Sequence, residues 1–167
     1  MSILIVDDSL DQQLLLRMVL NKAGHQDLLL ADSAAAAYGH LGIDHPPPAD
    51  QPHPIDLILM DFLMPDTDGV AATRHIKSRD FLRDIPVIVI TAKTDLDNLQ
   101  AAFSAGAMDF ITKPVNSVEL HARVNSALTL KKEMDCRKAR EQELRRSNEE
   151  LQRALREVKV LKGLVPI

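Results

Sequence analysis

The sequence predicts an α/β fold, a parallel five-stranded sheet with helices on both faces. Three observations carry this. Short apolar, β-rich runs recur along the first 130 residues. Runs such as Ile3-Leu4-Ile5-Val6 lack polar alternation, as strands covered on both faces do. Segments with apolar residues at helical spacing separate them, and repeated βα alternation favours parallel pairing through right-handed crossovers.

Each element has its own signals. Ile3 to Val6 is the first strand. Ser9 starts a helix, with Gln12 completing a capping-box pattern. Leu14, Leu15, Met18 and Val19 recur at helical spacing, and Gly24 is a stop. Leu28 to Ala31 is the second strand, and Ser33 caps an alanine-rich helix through about Leu41. Residues 42–54 hold five prolines and fit neither helix nor central strand; they read as a semi-rigid loop insertion. A solvated loop is the simpler reading, and a docking segment for a proline-reading partner the sharper one. Ile55 to Met60 is the third strand and Val70 to Lys77 a short helix. Ile85 to Ile90 is the fourth strand, with Pro86 tolerable only at its start. Asp95 begins a helix that stops at Gly106. Met108 to Thr112 is the fifth strand, and Asn116 or Ser117 caps the last helix.

Composition bounds the function. The chain has 167 residues, 46% hydrophobic and 26% charged, which excludes wholesale disorder. No apolar run approaches the ~18 residues of a membrane span. Residues 1–8 have no basic region and meet acid after four apolar residues, unlike a signal peptide. The single cysteine, Cys136, fits a reducing, cytoplasmic setting. Residues 1–130 carry 9 Lys+Arg against 17 Asp+Glu, a net of −8, while residues 131–167 carry 11 against 7, a net of +4. An acidic body argues against nucleic-acid binding by that part.

In open parallel sheets the chemistry lies beyond the carboxyl ends of the strands. Strand one ends in Asp7-Asp8, strand three in Asp61, strand four in Thr91, and strand five in Lys113-Pro114. Three carboxylates, a hydroxyl and an ammonium therefore meet at one sheet edge. A hard cation such as Mg²⁺ neutralises such a cluster. A carboxylate can itself be a nucleophile, and metal, lysine and hydroxyl suit phosphoryl transfer to it.

The chain resembles the receiver domain of bacterial two-component response regulators. The residues that carry this are Val6-Asp7-Asp8, Leu59-Met60-Asp61, Met64-Pro65 with Asp68-Gly69, Thr91-Ala92 and Lys113-Pro114. The resemblance implies a flavodoxin-like (βα)5 fold over residues 1–128. It implies Asp61 as phosphoacceptor and Mg²⁺ held by Asp7, Asp8, Asp61 and the backbone carbonyl of Leu63. Thr91 would bond the phosphoryl oxygen, Lys113 would pair with it, and Phe110 falls at the aromatic switch position. A histidine kinase is the implied donor. Taken singly, acids at strand ends are often turn formers, Thr91 a β-branched strand end and Phe110 core packing. Asp66 to Val70 also resembles the nucleophile motif of haloacid-dehalogenase-like phosphatases, but Pro65 precedes it and the strand already ends at Asp61. Leu63 and Lys93 depart from common receiver patterns and border the route of the hydrolytic water, so the phosphorylated state is expected to persist. His45 and His53 flank the proline loop and read as solvated.

The helical pattern does not stop after Ser117. No Gly or Pro occurs between Asn116 and Lys162. So long a run suggests a coiled coil over residues 129–162, continuous with the last receiver helix. With Leu144 at d, the seam comprises Leu144, Asn148, Leu151, Leu155 and Val158; it is poor near Arg137 and Glu141. Asn at an a position favours a parallel in-register dimer. The alternating signs of charge suit a solvated face better than DNA binding. Residues 163–167 read as the start of a linker to an absent output domain, such as a diguanylate cyclase. The expected function is a phosphorylation-dependent switch rather than an enzyme with turnover. The alternatives are a Mg²⁺-dependent phosphatase-like hydrolase and a constitutive dimer module, or pseudo-receiver.

Overall fold

The computed structural model describes residues 1–92 and 95–163. Lys93 of the water route lies outside them, as do residues 164–167 of the expected linker. The element order is β1 (Ser2–Val6), α1 (Leu10–Lys22), β2 (Leu28–Ala31), α2 (Ala34–Leu41), β3 (Ile55–Asp61), α3 (Gly69–Lys77), β4 (Val87–Thr91), α4 (Leu96–Ser104), β5 (Asp109–Thr112) and α5 (Ser117–Leu161), with a short 3-10 turn at Asp80–Leu82. The sheet order is β2-β1-β3-β4-β5, and every pairing is parallel. This is the flavodoxin-like fold expected.

Alternation along each strand splits the core in two. Leu4, Val6, Ile58, Met60, Val87 and Val89 face the side covered by α2, α3 and α4. Ile3, Ile5, Leu57, Leu59, Ile88 and Ile90 face α1 and the start of α5. These strand residues are at most 2% exposed, so the unbroken apolar runs reflect burial on both faces.

The helix ends follow local chemistry. Ser9, Ser33 and Asp68 accept from the backbone N–H three residues on. Gly42 ends α2 at φ 67°, and the turn after α4 places Gly106 at φ 107°. Asn116 is the α5 cap: its Oδ1 accepts from Val118 and Glu119 N–H. The strand signal at Ile85-Pro86 gives way to a β4 that begins at Val87, because Pro86 has no N–H for the ladder; its carbonyl still accepts from Ile58. The face of α1 also differs from the apolar pattern. Gln13, Leu16 and Leu20 are buried, whereas Leu14, Leu15 and Met18 are 40–49% exposed.

The chain divides into two units, Met1–Lys131 and Lys132–Ile167, and α5 belongs to both. In the second unit Leu144, Leu151, Leu155 and Val158 are exposed, at 70%, 59%, 55% and 45%. The proline segment, residues 42–54, contains neither helix nor strand. It is nonetheless anchored: Ile43 enters the core, and His53 bridges Leu41 O and Ile55 N–H. Among the described residues no helix is long and apolar enough to cross a membrane.

Candidate functional site

The ladder places the catalytic-type side chains on one edge. Val6 pairs with both Ala31 and Met60, Asp61 with Ile90, and Thr91 with Thr112. Asp7-Asp8, Asp61, Thr91 and Lys113 are therefore the exits of four adjacent parallel strands. β1 and β3 also flank the position where strand order reverses, the crevice that parallel sheets use for ligands.

Asp7, Asp8 and Asp61 each offer a carboxylate oxygen within 4.8 Å of the others. Asp7 is 1% exposed and Asp61 4%, while Asp8 faces solvent. Lys113 Nζ donates to Asp61 Oδ1 at 2.8 Å and lies 3.7 Å from Asp7 Oδ2. Ser9 N–H donates to Asp7 Oδ1 at 2.8 Å. Asp7 Oδ2 is buried and accepts no hydrogen bond among the described residues. An acceptor with a negative charge and no donor is costly to bury.

Burial pushes the Asp61 carboxyl above the ordinary carboxylate range; the Lys113 hydrogen bond pulls against this, and the charges of Asp7 and Asp8 add to it. Burial also works to lower Lys113, but its hydrogen bond to Asp61 and the charges of Asp61 and Asp7 outweigh that and hold the ammonium above its usual value. One lysine thus faces more negative charge than it can offset. The set is hard, all-oxygen and open to solvent through Asp8, which fits a small divalent cation.

Thr91 is 2% exposed at the end of β4, and its carbonyl accepts from Lys113 N–H. Phe110 lies on β5, half-buried, edge-on to Phe103 at 6.0 Å, with the Arg123 guanidinium 5.9 Å above its ring. Arg123 is itself fixed by Asp109 at 2.5 Å and Glu119 at 3.0 Å. Leu63 is 51% exposed in the loop after β3. The structure brings together Asp7, Asp8, Asp61 and Lys113. Asn148 and the seam leucines belong to the second unit.

Two residues at this edge carry more than the sequence pattern assigned them. Gly69 N–H donates to Phe62 O, and a Cβ on Gly69 would lie 2.1 Å from the Asp61 carbonyl oxygen. So close an approach excludes every other residue without backbone movement. Gln13 is buried with its amide on the carbonyls of Asp7 and Ala31. Gly69 enters the sequence pattern only as part of Asp68-Gly69, and a glutamine in a helix is common, so the backbone geometry is what reveals these contacts.

Residues 3–125 match the response regulator receiver domain. The chain belongs to that family. It is 35% identical over 127 residues to the phosphate regulon transcriptional regulatory protein PhoB of Pseudomonas aeruginosa, covering 76% of this chain and 51% of PhoB. It is 38% identical over 107 residues to the cyclic di-GMP phosphodiesterase response regulator RpfG of Xanthomonas campestris pv. campestris, covering 62% of this chain and 28% of RpfG. Among solved structures, the receiver domain of a signal transduction histidine kinase from Syntrophus aciditrophicus superposes with a TM-score of 0.64 at 36% identity, covering 77% of this chain and 89% of that one. The receiver domain of NtrX from Brucella abortus gives 0.64 at 27% identity, covering 77% and 98%. The chain thus spans about half the length of PhoB and less of RpfG. As a receiver domain of two-component systems, it is a phosphorelay signalling module.

Proposed function

We propose that Asp61 is the phosphoacceptor of a phosphorylation switch and that Asp7, Asp8 and Asp61, with the Leu63 carbonyl, hold Mg²⁺. The observation that carries this reading is the Lys113 ammonium bonded to a buried Asp61 beside two further carboxylates. Asp7 Oδ2, buried with no hydrogen-bond donor among the described residues and Lys113 Nζ 3.7 Å away, is the acceptor a cation would satisfy. The bound cation supplies charge neutralisation for the phosphoryl oxygens and for the crowded carboxylates.

The donor is a phosphohistidine on a partner kinase. An Asp61 carboxylate oxygen attacks phosphorus, the O–P bond forms as the P–N bond breaks, and the imidazole leaves. Lys113, already charged and within reach of Asp61, stabilises the added negative charge. The Thr91 hydroxyl donates to a phosphoryl oxygen. Its inward movement opens space beside β4, and Phe110 leaves Phe103 and Arg123 to fill it. The face formed by α4, β5 and α5 changes with it, a two-state element biased by local charge.

The tail serves as the transmission element. Leu144, Leu151, Leu155 and Val158 gain burial by pairing with a second copy, and Asn148 sets a parallel register. An output domain, enzymatic or otherwise, is driven through this helix. The experiment is phosphorylation by acetyl phosphate with Mg²⁺, followed by sizing of the product. Phosphorylation of Asp61 supports the switch. Sustained phosphate release from a small phosphoester, without an accumulating adduct, would instead favour a hydrolase.

A further inference from the structure

Gln13 stands in the first turn of α1 and is 5% exposed. Its Nε2 donates to the Asp7 carbonyl at 2.7 Å and to the Ala31 carbonyl at 2.9 Å. Both neighbours can only accept, so the nitrogen end of the amide is fixed toward them. The Ala31 carbonyl also takes the Asp7 N–H at 3.0 Å. One buried NH₂ group therefore ties the exits of β1 and β2 at the residue where the sheet yields to the acidic cluster. The tie closes on itself: Gln13 N–H donates to Ser9 O, and Ser9 N–H donates to Asp7 Oδ1.

The geometry points to Gln13 as a positioning residue for the cation-binding carboxylates, a role that rests on the cluster being a Mg²⁺ site. The amide fixes the Asp7 carbonyl and hence the plane of the Asp7–Asp8 peptide. With that plane fixed and Oδ1 held by Ser9, the Asp7 carboxylate keeps Oδ2 without a hydrogen-bond donor among the described residues, on the side of Asp61 and 3.7 Å from Lys113 Nζ. Gln13 touches neither cation nor phosphoryl group. Partners that orient metal ligands in this way typically alter metal affinity by ~10–100-fold when removed.

The test is Mn²⁺ titration, read from the electron paramagnetic resonance signal of free Mn²⁺, on the full chain and three variants. Gln13→Met keeps length and volume but has no donors. Leu20→Ala lies on the same helix and destabilises the core without touching the cluster. Asp8→Asn removes a proposed ligand. The expected result is one Mn²⁺ per wild-type chain, binding abolished in Asp8→Asn, roughly tenfold weaker in Gln13→Met, and unchanged in Leu20→Ala. Equal affinity in Gln13→Met and wild type would overturn the role of Gln13 alone. Equal weakening in Leu20→Ala would reduce it to general loosening and overturn it too. A wild type without a Mn²⁺ site, or an Asp8→Asn that keeps it, would remove the cation reading beneath it. Should Gln13→Met fail to fold, the Gln13 side-chain NH₂ resonances of the wild type decide: they shift on Mg²⁺ saturation if the role is right, and stay fixed with those of Gln51 if it is wrong.

Discussion

Lys77 brings its ammonium to the end of the sheet opposite the acidic cluster, where Nζ donates to the carbonyls of Arg83 and Ile85. Burial lowers it from 10.5 to about 8, with Asp84 opposing the shift. The folded chain therefore releases this proton more readily than the unfolded one. Between pH 8 and 10.5 the unfolded state holds more protons, so stability rises with pH in that window and is lowest below it. Denaturant unfolding across it is expected to show the wild type gaining on Lys77→Met, whose difference from wild type would otherwise stay constant. Gly69 makes a steric prediction. Gly69→Ala sets a methyl against the Asp61 carbonyl oxygen, and is expected to cost about 1–3 kcal/mol in thermal unfolding and to lower the yield of acyl phosphate. At Leu63 the matter is kinetic. An apolar, half-exposed side chain cannot orient water, so Leu63→Asn is expected to speed dephosphorylation several-fold in a phosphate-release assay; an equal or slower rate would count against a persistent phosphorylated state. Asp7, Asp8, Asp61 and Lys113 were legible because each directly follows or ends a strand-like run. Gln13 was not, and Gly69 was legible only as part of a motif, because what makes each matter is a backbone carbonyl brought near by β2 or β3.

At the scale of elements, strands and caps were the most readable. Apolar runs marked β1, β3 and β4, and Ser9 and Ser33 mark helix starts through a bond each makes locally, as Asp68 proves to do for α3. Asp68→Ala is expected to lower stability by about 1 kcal/mol. The buried face of α1 was less readable. Leucines crowd that helix on several sides, and which of them enters the core is decided by packing on Ile3, Ile5 and α5. The Asp80–Leu82 turn had no signal of its own, since three residues carry no period. In the tail, the proposed seam makes a direct claim. Leu144→Lys with Leu151→Lys is expected to turn a dimer into a monomer in light scattering without unfolding residues 1–131. An unchanged mass would show that the helix does not pair along this seam.

The whole molecule joins an acidic body, net −8 over residues 1–130, to a basic helix, net +4. Part of that acid excess is concentrated: Asp7, Asp8 and Asp61 crowd one sheet edge, where Lys113 offsets some of their mutual repulsion. The family match covers residues 3–125, and the relatives extend well beyond the length shared with this chain. Beryllofluoride, which mimics the phosphoryl group, is expected to alter the sizing profile of the chain if the tail pairs and transmits the switch. Intact-mass spectrometry after incubation with acetyl phosphate and Mg²⁺ tests most directly whether Asp61 is the phosphoacceptor. A single adduct of ~80 Da is expected on the wild type and none on Asp61→Asn. An unmodified wild type, or an adduct that survives in Asp61→Asn, would contradict it.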